Sequence, residues 1–287
     1  ASLVGSEMCI RDRNIVYWMA FQILMGNVDT QNRNVYLYSP LNSDIWYFIA
    51  WDNDGCLMRP EYELRNFSDQ NSWEKGISNY WGNILFQRCL KSRSFREKLN
   101  DAILDLREYL NKDMLTSKIE SYKNVLKPYL YLMPDAEYEP LTSEQYDQIA
   151  ASLPDEIEKN YQLYLESLET PMPFYIGVPT IDGDKLKFNW DVSYDLDAED
   201  ITYSVEVAGD YLFRDVIYQN TTLTVPEAEM DLPKAGQYFV RVRATNTSGK
   251  TQDAFDYYVT DEGKYYGMRC FYITEDSTVE EDDYEEG

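Results

Sequence analysis

Four oxygen-bearing side chains, Asp29, Asn34, Asp52 and Asp54, fall within one short stretch, Asn27 to Asp54, that reads NVDTQNRNVYLYSPLNSDIWYFIAWDND. A helix is expected to stop just before it, at Gly26-Asn27, a pair common after helix C-termini. A loop then presents Asp29 and Asn34. Strands are expected over Val35–Ser39 and Ile45–Trp51, with Pro40, Asn42, Ser43 and Asp44 turning between them, and the second strand delivers Asp52 and Asp54. Carboxylates and an amide oxygen converging across a hairpin suit Mg2+, which takes a few carboxylates together with substrate phosphate oxygens. The second strand is almost wholly apolar and reads as buried. A carboxylate beyond a buried strand needs a partner, and a metal ion is a natural one.

Phosphoryl transfer by protein kinases uses a catalytic-loop Asp, an Asn five residues later and a metal-binding Asp after the next hairpin. Asn34 stands five positions after Asp29, and Asp52 follows a hairpin. The His-Arg that precedes the catalytic Asp in kinases is replaced by Asn27-Val28. The Phe-Gly that follows the metal-binding Asp is replaced by Asn53-Asp54. Asn, Asp and Gly between elements are also ordinary turn residues, and either cluster alone would be read so. The two together, joined by an apolar hairpin at this spacing, point to a kinase-like site.

Composition narrows the chemistry. Histidine is absent, which excludes Ser-His-Asp and Cys-His catalysis and His-ligated zinc within this chain. The net charge of −25 repels phosphate backbones and anionic membranes, so neither nucleic acid nor a membrane surface is an expected partner. The longest apolar stretch, Ile15 to Met25, is too short to span a bilayer. Cys9, Cys56, Cys89 and Cys270 form no CxxC pair and read as buried small hydrophobes rather than a disulfide frame. The 26 tyrosines fit half-buried strands, or a surface for sugar or protein contacts.

Stepping outward from the site, residues 14–25 form an apolar helix expected to be buried. Residues 60–79 read as a loop. Further helices are expected from Tyr80 onward: Trp81, Ile84, Leu85 and Cys89 on one face, then Phe95, Leu99, Ile103, Leu106 and Leu110, then about Lys112 to Tyr131, then about Ser143 to Leu168. Pro154 is expected to kink or split the last one, and Thr142 with Gln145 signals a capping box at its start. Residues 1–13, ASLVGSEMCIRDR, fit neither a signal peptide nor a helix period. They read as translated adaptor sequence, which would leave the natural start and any secretion signal missing.

Thr170-Pro171-Met172-Pro173 reads as a linker. Beyond it the text alternates polar and apolar, over Lys185–Trp190, Ile201–Val207 and Tyr238–Ala244, as in a β-sandwich. Asp195, Asp197, Glu199 and Asp200 could hold Ca2+, or form a solvated loop. The tail from Glu275 to Glu286 is too acidic to bury a core and is expected to be disordered.

The Trp-Met-Ala-Phe helix, then Asn-x-Asp-x-x-x-x-Asn, then a hairpin ending Trp-Asp-x-Asp, resembles the CotH family of atypical kinases, which are bacterial spore-coat and secreted proteins with a kinase-like fold. The resemblance covers residues 14–60 in its motifs and the helical region to 169 loosely. It implies ATP and Mg2+ as cofactors and a Ser or Thr hydroxyl of a secreted or coat protein as acceptor. Asp29 would then be catalytic, Asn34 and Asp52 would hold Mg2+ on the ATP phosphates, Asp54 would be a further metal ligand, and Asn27 would brace the loop. Residues 174–262 resemble a fibronectin type III module. Phe188-Asn189-Trp190 matches its early tryptophan, and Leu232-Pro233 through Tyr238 to Ala244 matches its later signature. Tyr238 would tie its loop back to backbone, and Asn246–Gly249 would turn the next hairpin. Such a module implies binding of a cell-surface protein or polysaccharide rather than catalysis.

The expected fold class is therefore α+β: a mainly helical kinase-like C-lobe over 14–169, a linker at 170–173, an all-β sandwich over 174–262, and an acidic extension over 263–287. A kinase also needs an N-lobe with a Gly-rich lid and a Lys–Glu pair on the phosphates. The adaptor-like residues 1–13 leave no room for one and no Gly-rich loop occurs among the 13 glycines, so the N-lobe is expected to be missing and the chain alone to be inactive. Location outside the cell or at its surface follows from the resemblance. The alternative is a non-catalytic surface scaffold in which the kinase-like domain is degenerate.

Overall fold

The computed structural model describes residues 9–10, 12–31, 33–57, 73–261 and 263–281. These fall into two compact units, one from residues 1–58 and 85–165, the other from residues 59–84 and 166–287. Helices dominate the first and antiparallel strands the second, giving the α+β class expected.

The first unit opens with strand β1 (Cys9–Ile10) and helix α1 (Asp12–Met25). Asp12 and Arg13, assigned above to a leader outside the fold, belong to α1. Lys98 pairs with Asp12 at 3.0 Å, and the Arg13 guanidinium lies 5.3 Å from the Tyr17 ring. Ile15, Trp18, Met19, Ala20, Ile23 and Leu24 are buried, so the helix is enclosed as its composition requires. It stops at Gly26, whose φ of 63° suits glycine; Gly26 N–H donates to Ile23 and Asn27 N–H to Gln22, the paired bonds of a Schellman stop.

Strands β2 (Tyr36–Tyr38) and β3 (Ile45–Ile49) form the expected hairpin, with Tyr36 opposite Ile49 and Tyr38 opposite Tyr47. Strand β1 adds to β3 in parallel. The Asn14 side chain both accepts from Phe48 N–H and donates to Phe48 O, and Trp18 Nε1 donates to Ile49 O. These bonds fix the hairpin along α1.

Four longer helices follow: α2 (Ile84–Lys91), α3 (Arg93–Tyr109), α4 (Lys112–Leu130) and α5 (Ser143–Glu169). Of the expected face Trp81, Ile84, Leu85 and Cys89, Trp81 and Cys89 are buried, together with Phe86 and Leu90 of α2, whereas Ile84 is 62% exposed. A capping box closes the start of α5: Gln145 N–H donates to Thr142 Oγ1, and Thr142 N–H to Gln145 Oε1. α5 runs through Pro154 as one helix, so the proline does not split it.

In the second unit, strands β4 (Thr180–Asp182), β5 (Lys185–Asn189) and β8 (Glu227–Asp231) make one sheet in the order β4-β5-β8. Strands β6 (Ile201–Ala208), β7 (Val216–Leu223), β9 (Gly236–Asn246), β13 (Met268–Ile273) and β14 (Val279–Glu281) make the other, ordered β14-β13-β9-β6-β7, with β10 (Thr251–Asp253) also on β9. Strands β11 (Tyr257–Thr260) and β12 (Gly263–Tyr266) pair separately. Leu186 and Phe188 from the first sheet and Val205, Val240 and Phe271 from the second share one core. Tyr238 Oη donates to Lys234 O at 2.9 Å, and Gly249 N–H closes its turn on Asn246 O.

Three expectations change here. The sandwich does not stop at 262, because β13 pairs with β9 and buries Phe271 and Ile273. Part of the acidic tail, Val279–Glu281, is a strand on β13, and residues 282–287 lie outside the described residues. Pairing to an existing edge requires no core of its own. Residues 60–79, read as a loop, lie outside the described residues up to 72. Beyond that, Trp73 and Ile77 are buried, Trp73 Nε1 donates to Phe255 O, and Ser78–Tyr80 form a 3-10 turn.

The Asp195 cluster is a turn rather than a cation site. Asp195 Oδ1 accepts from the Asp197 and Glu199 N–H groups, and Glu199 accepts from Thr247 and Ser248. Cys56, Cys89 and Cys270 are free thiols, the last two buried. No described helix is long and apolar enough to cross a membrane.

Candidate active site

The end of α1 and the two loops that carry Asp29 and Asp52 are bound together through Asn27. This side chain is 2% exposed. Its Nδ2 donates to Gln22 Oε1 at 3.1 Å and reaches Asp52 O and Asn53 Oδ1, each at 3.5 Å. Its Oδ1 accepts from Asp29 N–H at 3.3 Å, and its carbonyl accepts from Thr30 Oγ1. Gln22 Nε2 donates to Asn53 Oδ1 at 3.1 Å, closing the ring from helix to loop to hairpin end. Leu57 N–H donates to Met25 O, so the chain leaving the site returns to the helix end. A buried amide with several partners specifies geometry, because leaving any of them unmet in the interior is unfavourable.

Around this brace stand the carboxylates. Asp29 lies on a 3-10 turn, Val28–Gln31. A β-carbon placed on Gly55 would stand 3.0 Å from Asp29 Oδ2, so the Asp29 carboxylate leans against the turn after Asp54. The neighbouring Asp54 carboxyl, by hydrogen bonding and repulsion, then partial burial and the charge of Asp29, hold the Asp52 carboxyl above its ordinary range. The Cys56 thiol, close behind, is pushed up to about 12 by burial and by the charges of Asp54 and Asp29, so it stays protonated and unreactive.

Asp52 and Asn34 both hold left-handed backbone, with φ of 50° and 54°. Asn and Asp tolerate this region better than other non-glycine residues, but it is sparsely populated and often found where function fixes a side chain. Asn34 is half-buried at the foot of β2, and no hydrogen bond joins it to Asp29 or Asp52. The structure thus brings Asp29, Asp52 and Asp54 to one place.

The expected burial of β3 is not what positions these groups. Only Phe48 of that strand is buried; Ile45, Ile49 and the following Trp51 are 38%, 41% and 54% exposed, and the carboxylates are exposed too. The strand has one face on α1 and the other open, so its near-continuous apolar text does not signal two covered faces. Mutual repulsion, not burial, is the electrostatic feature of these carboxylates. Among the described residues no group of three or more acidic or Cys side chains stands so as to hold a metal ion. Carboxylate oxygens are the ligand type Mg2+ takes, with substrate phosphate oxygens supplying the remainder.

Gln22 and Gly55 belong to this site and were not singled out from sequence as functional. Gln22 was the polar residue in an apolar helix, the one signal that marked it. Gly55 was visible only as the end of an Asp-Asn-Asp-Gly turn.

The family model described as CotH kinase protein matches residues 12–164. No curated protein matches the chain. Among solved structures, the Twitchin kinase region from C. elegans (Fn31-NL-kin-CRD-Ig26) is similar at 15% identity and a TM-score of 0.25, over 33% of this chain and 20% of that one, a likeness too slight to assign a fold. The family match takes in the braced loop, the hairpin, the aspartates and the helices through most of α5, more than half of the residues, and the chain belongs to the CotH kinase family.

Proposed function

We propose that the first unit carries the carboxylate half of a kinase site that moves the γ-phosphoryl group of ATP to a Ser or Thr hydroxyl of a secreted or spore-coat protein. The observation that carries this reading is the close set of Asp29, Asp52 and Asp54 on one Asn27 brace. Asp29 accepts the proton of the acceptor hydroxyl and orients its oxygen. Asn34, Asp52 and Asp54 are the groups that would hold Mg2+. When bound, that ion neutralises charge on the ATP phosphates. Asn27 and Gln22 do no chemistry; they hold the two loops at a fixed separation, which phosphoryl transfer needs because it depends on positioning more than on covalent steps.

The Gly-rich lid that kinases place over the phosphates has no counterpart in the sequence, so transfer by these residues alone is negligible in this reading. The second unit acts as a fibronectin-like platform for a surface protein or polysaccharide, outside a bacterial cell. A scaffold without catalysis is the second reading; it draws on the open, exposed placement of the carboxylates. The test is transfer from ATP with Mg2+ to a Ser/Thr acceptor by the complete gene product and by its Asp52→Ala form. Loss on substitution supports the kinase. Equal signals, or none from either, support the scaffold.

A further inference from the structure

Helix α4 is amphipathic in reverse. Lys123 and Lys127 turn inward to Asp147 on α5, at 3.7 and 2.6 Å, and their side chains are only 17% and 22% exposed. None of the helix's residues is buried. On the side away from these lysines, Tyr122, Val125, Leu126 and Tyr129 recur at i, i+3, i+4 and i+7, a stripe on one face of a helix. Leu132 and Met133 prolong it past the helix end. All six are 52–73% exposed. The neighbouring α3 behaves in the ordinary way and buries Leu99, Ala102 and Ile103.

We propose that this stripe is the interface between two copies of the chain, α4 against α4 about a two-fold axis. Area is the first argument. With about 150–250 Å² for a whole aromatic side chain and somewhat less for an aliphatic one, the six leave on the order of 800 Å² in water. That is about what each partner contributes to a standard-size interface, and more than a soluble surface leaves open without a use. Shape is the second. A two-fold contact needs a patch that complements itself, and a straight apolar stripe on a helix does so when a second helix lies antiparallel on it. Charge is the third. The chain carries −25 and repels its own copy over most of its surface. The stripe itself, Tyr122, Val125, Leu126, Tyr129, Leu132 and Met133, carries no charge, so two acidic chains meet there across an uncharged strip. Anionic membrane is disfavoured as the cover by the charge of the rest of the chain.

Sedimentation equilibrium of the 287-residue chain tests this. At about 100 µM, above the micromolar Kd found at the weak end of standard interfaces, the mass is expected to be twice 33.8 kDa. Val125→Glu with Tyr129→Glu is expected to give the single-chain mass with unchanged far-UV circular dichroism, because both side chains are exposed in the single chain. Val192→Glu, at a 72% exposed site on the second unit, is expected to leave the dimer intact. A wild type that stays monomeric, including one that instead binds lipid vesicles, overturns the proposal, and so does a dimer that survives the α4 double substitution.

Discussion

Asp29 and Gly55 lie so close that a single added carbon would join them in contact: a β-carbon on Gly55 would stand 3.0 Å from Asp29 Oδ2 and 3.4 Å from Asn27 Oδ1. Two loops separated by a hairpin thus meet with little room for a methyl group. Gly55 has no left-handed backbone requirement, so its glycine is explained by proximity to the carboxylate rather than by its own φ.

Gly55→Ala should therefore displace Asp29 without unfolding the chain. The Asp29 carboxylate must give by a few tenths of an ångström, so phosphate transfer by the gene product should fall, by less than the roughly 100-fold that a full ångström of misplacement costs, with far-UV circular dichroism unchanged. Full activity in the alanine form would show that Asp29 need not stay where it is.

Asp52→Asn should stabilise the protein at neutral pH. The wild-type carboxyl is held above its ordinary range by Asp54 first and Asp29 last, so the fold favours its protonated form. For a carboxyl shifted upward, stability is fully present below the ordinary carboxylate pKa and is lost as pH rises through the raised value. Asparagine removes the repulsion and tolerates the φ of 50°. Melting temperatures from about pH 3 to pH 8 should coincide for the two proteins at the acid end, with the variant higher at the neutral end.

Asn27→Ala removes the amide that ties Gln22, Asp29, Asp52 and Asn53 together. It should destabilise the first unit by roughly 1–3 kcal/mol, the range for leaving buried polar partners unmet. Urea unfolding measures the change, and hydrogen exchange should show lost protection at the Asp29 N–H in particular. A variant as stable as wild type would mean that the brace is incidental.

Gly26→Ala puts a β-carbon in left-handed backbone and 2.7 Å from Asn160 Nδ2, which itself donates to Leu24 O at 2.9 Å. The backbone term is roughly 1–2 kcal/mol, and displacing Asn160 adds to it. The stability loss should exceed that of an exposed helix-interior substitution and be read in the same unfolding assay.

Much of this architecture is legible residue by residue. The Gly26-Asn27 stop, the hairpin and the Thr142–Gln145 cap are local signals, set within a few residues, and each is found, as is the Tyr238 tie that the fibronectin resemblance implies. What could not be read is tertiary. Periodicity showed that Phe86 and Ile84 are both apolar, but not that neighbouring elements cover only Phe86. The text of β3 is apolar on both faces, and nothing local says that one face stays open. The bracing role of Asn27, which the resemblance implies, is found, whereas Gln22 and Gly55 were not legible, because their parts arise from contacts across the hairpin. The acidic tail was judged by composition, which carries no information about a sheet edge waiting for a strand.

Thermal unfolding of the chain with and without Mg2+ is the most direct test of a shared carboxylate site. If Asp29, Asp52 and Asp54 repel one another around a cation position, Mg2+ binds the folded form and raises the melting temperature at neutral pH by mass action. Asp52→Asn should start higher and gain little from Mg2+. An equal Mg2+ response in both proteins, or none in wild type, would contradict the site.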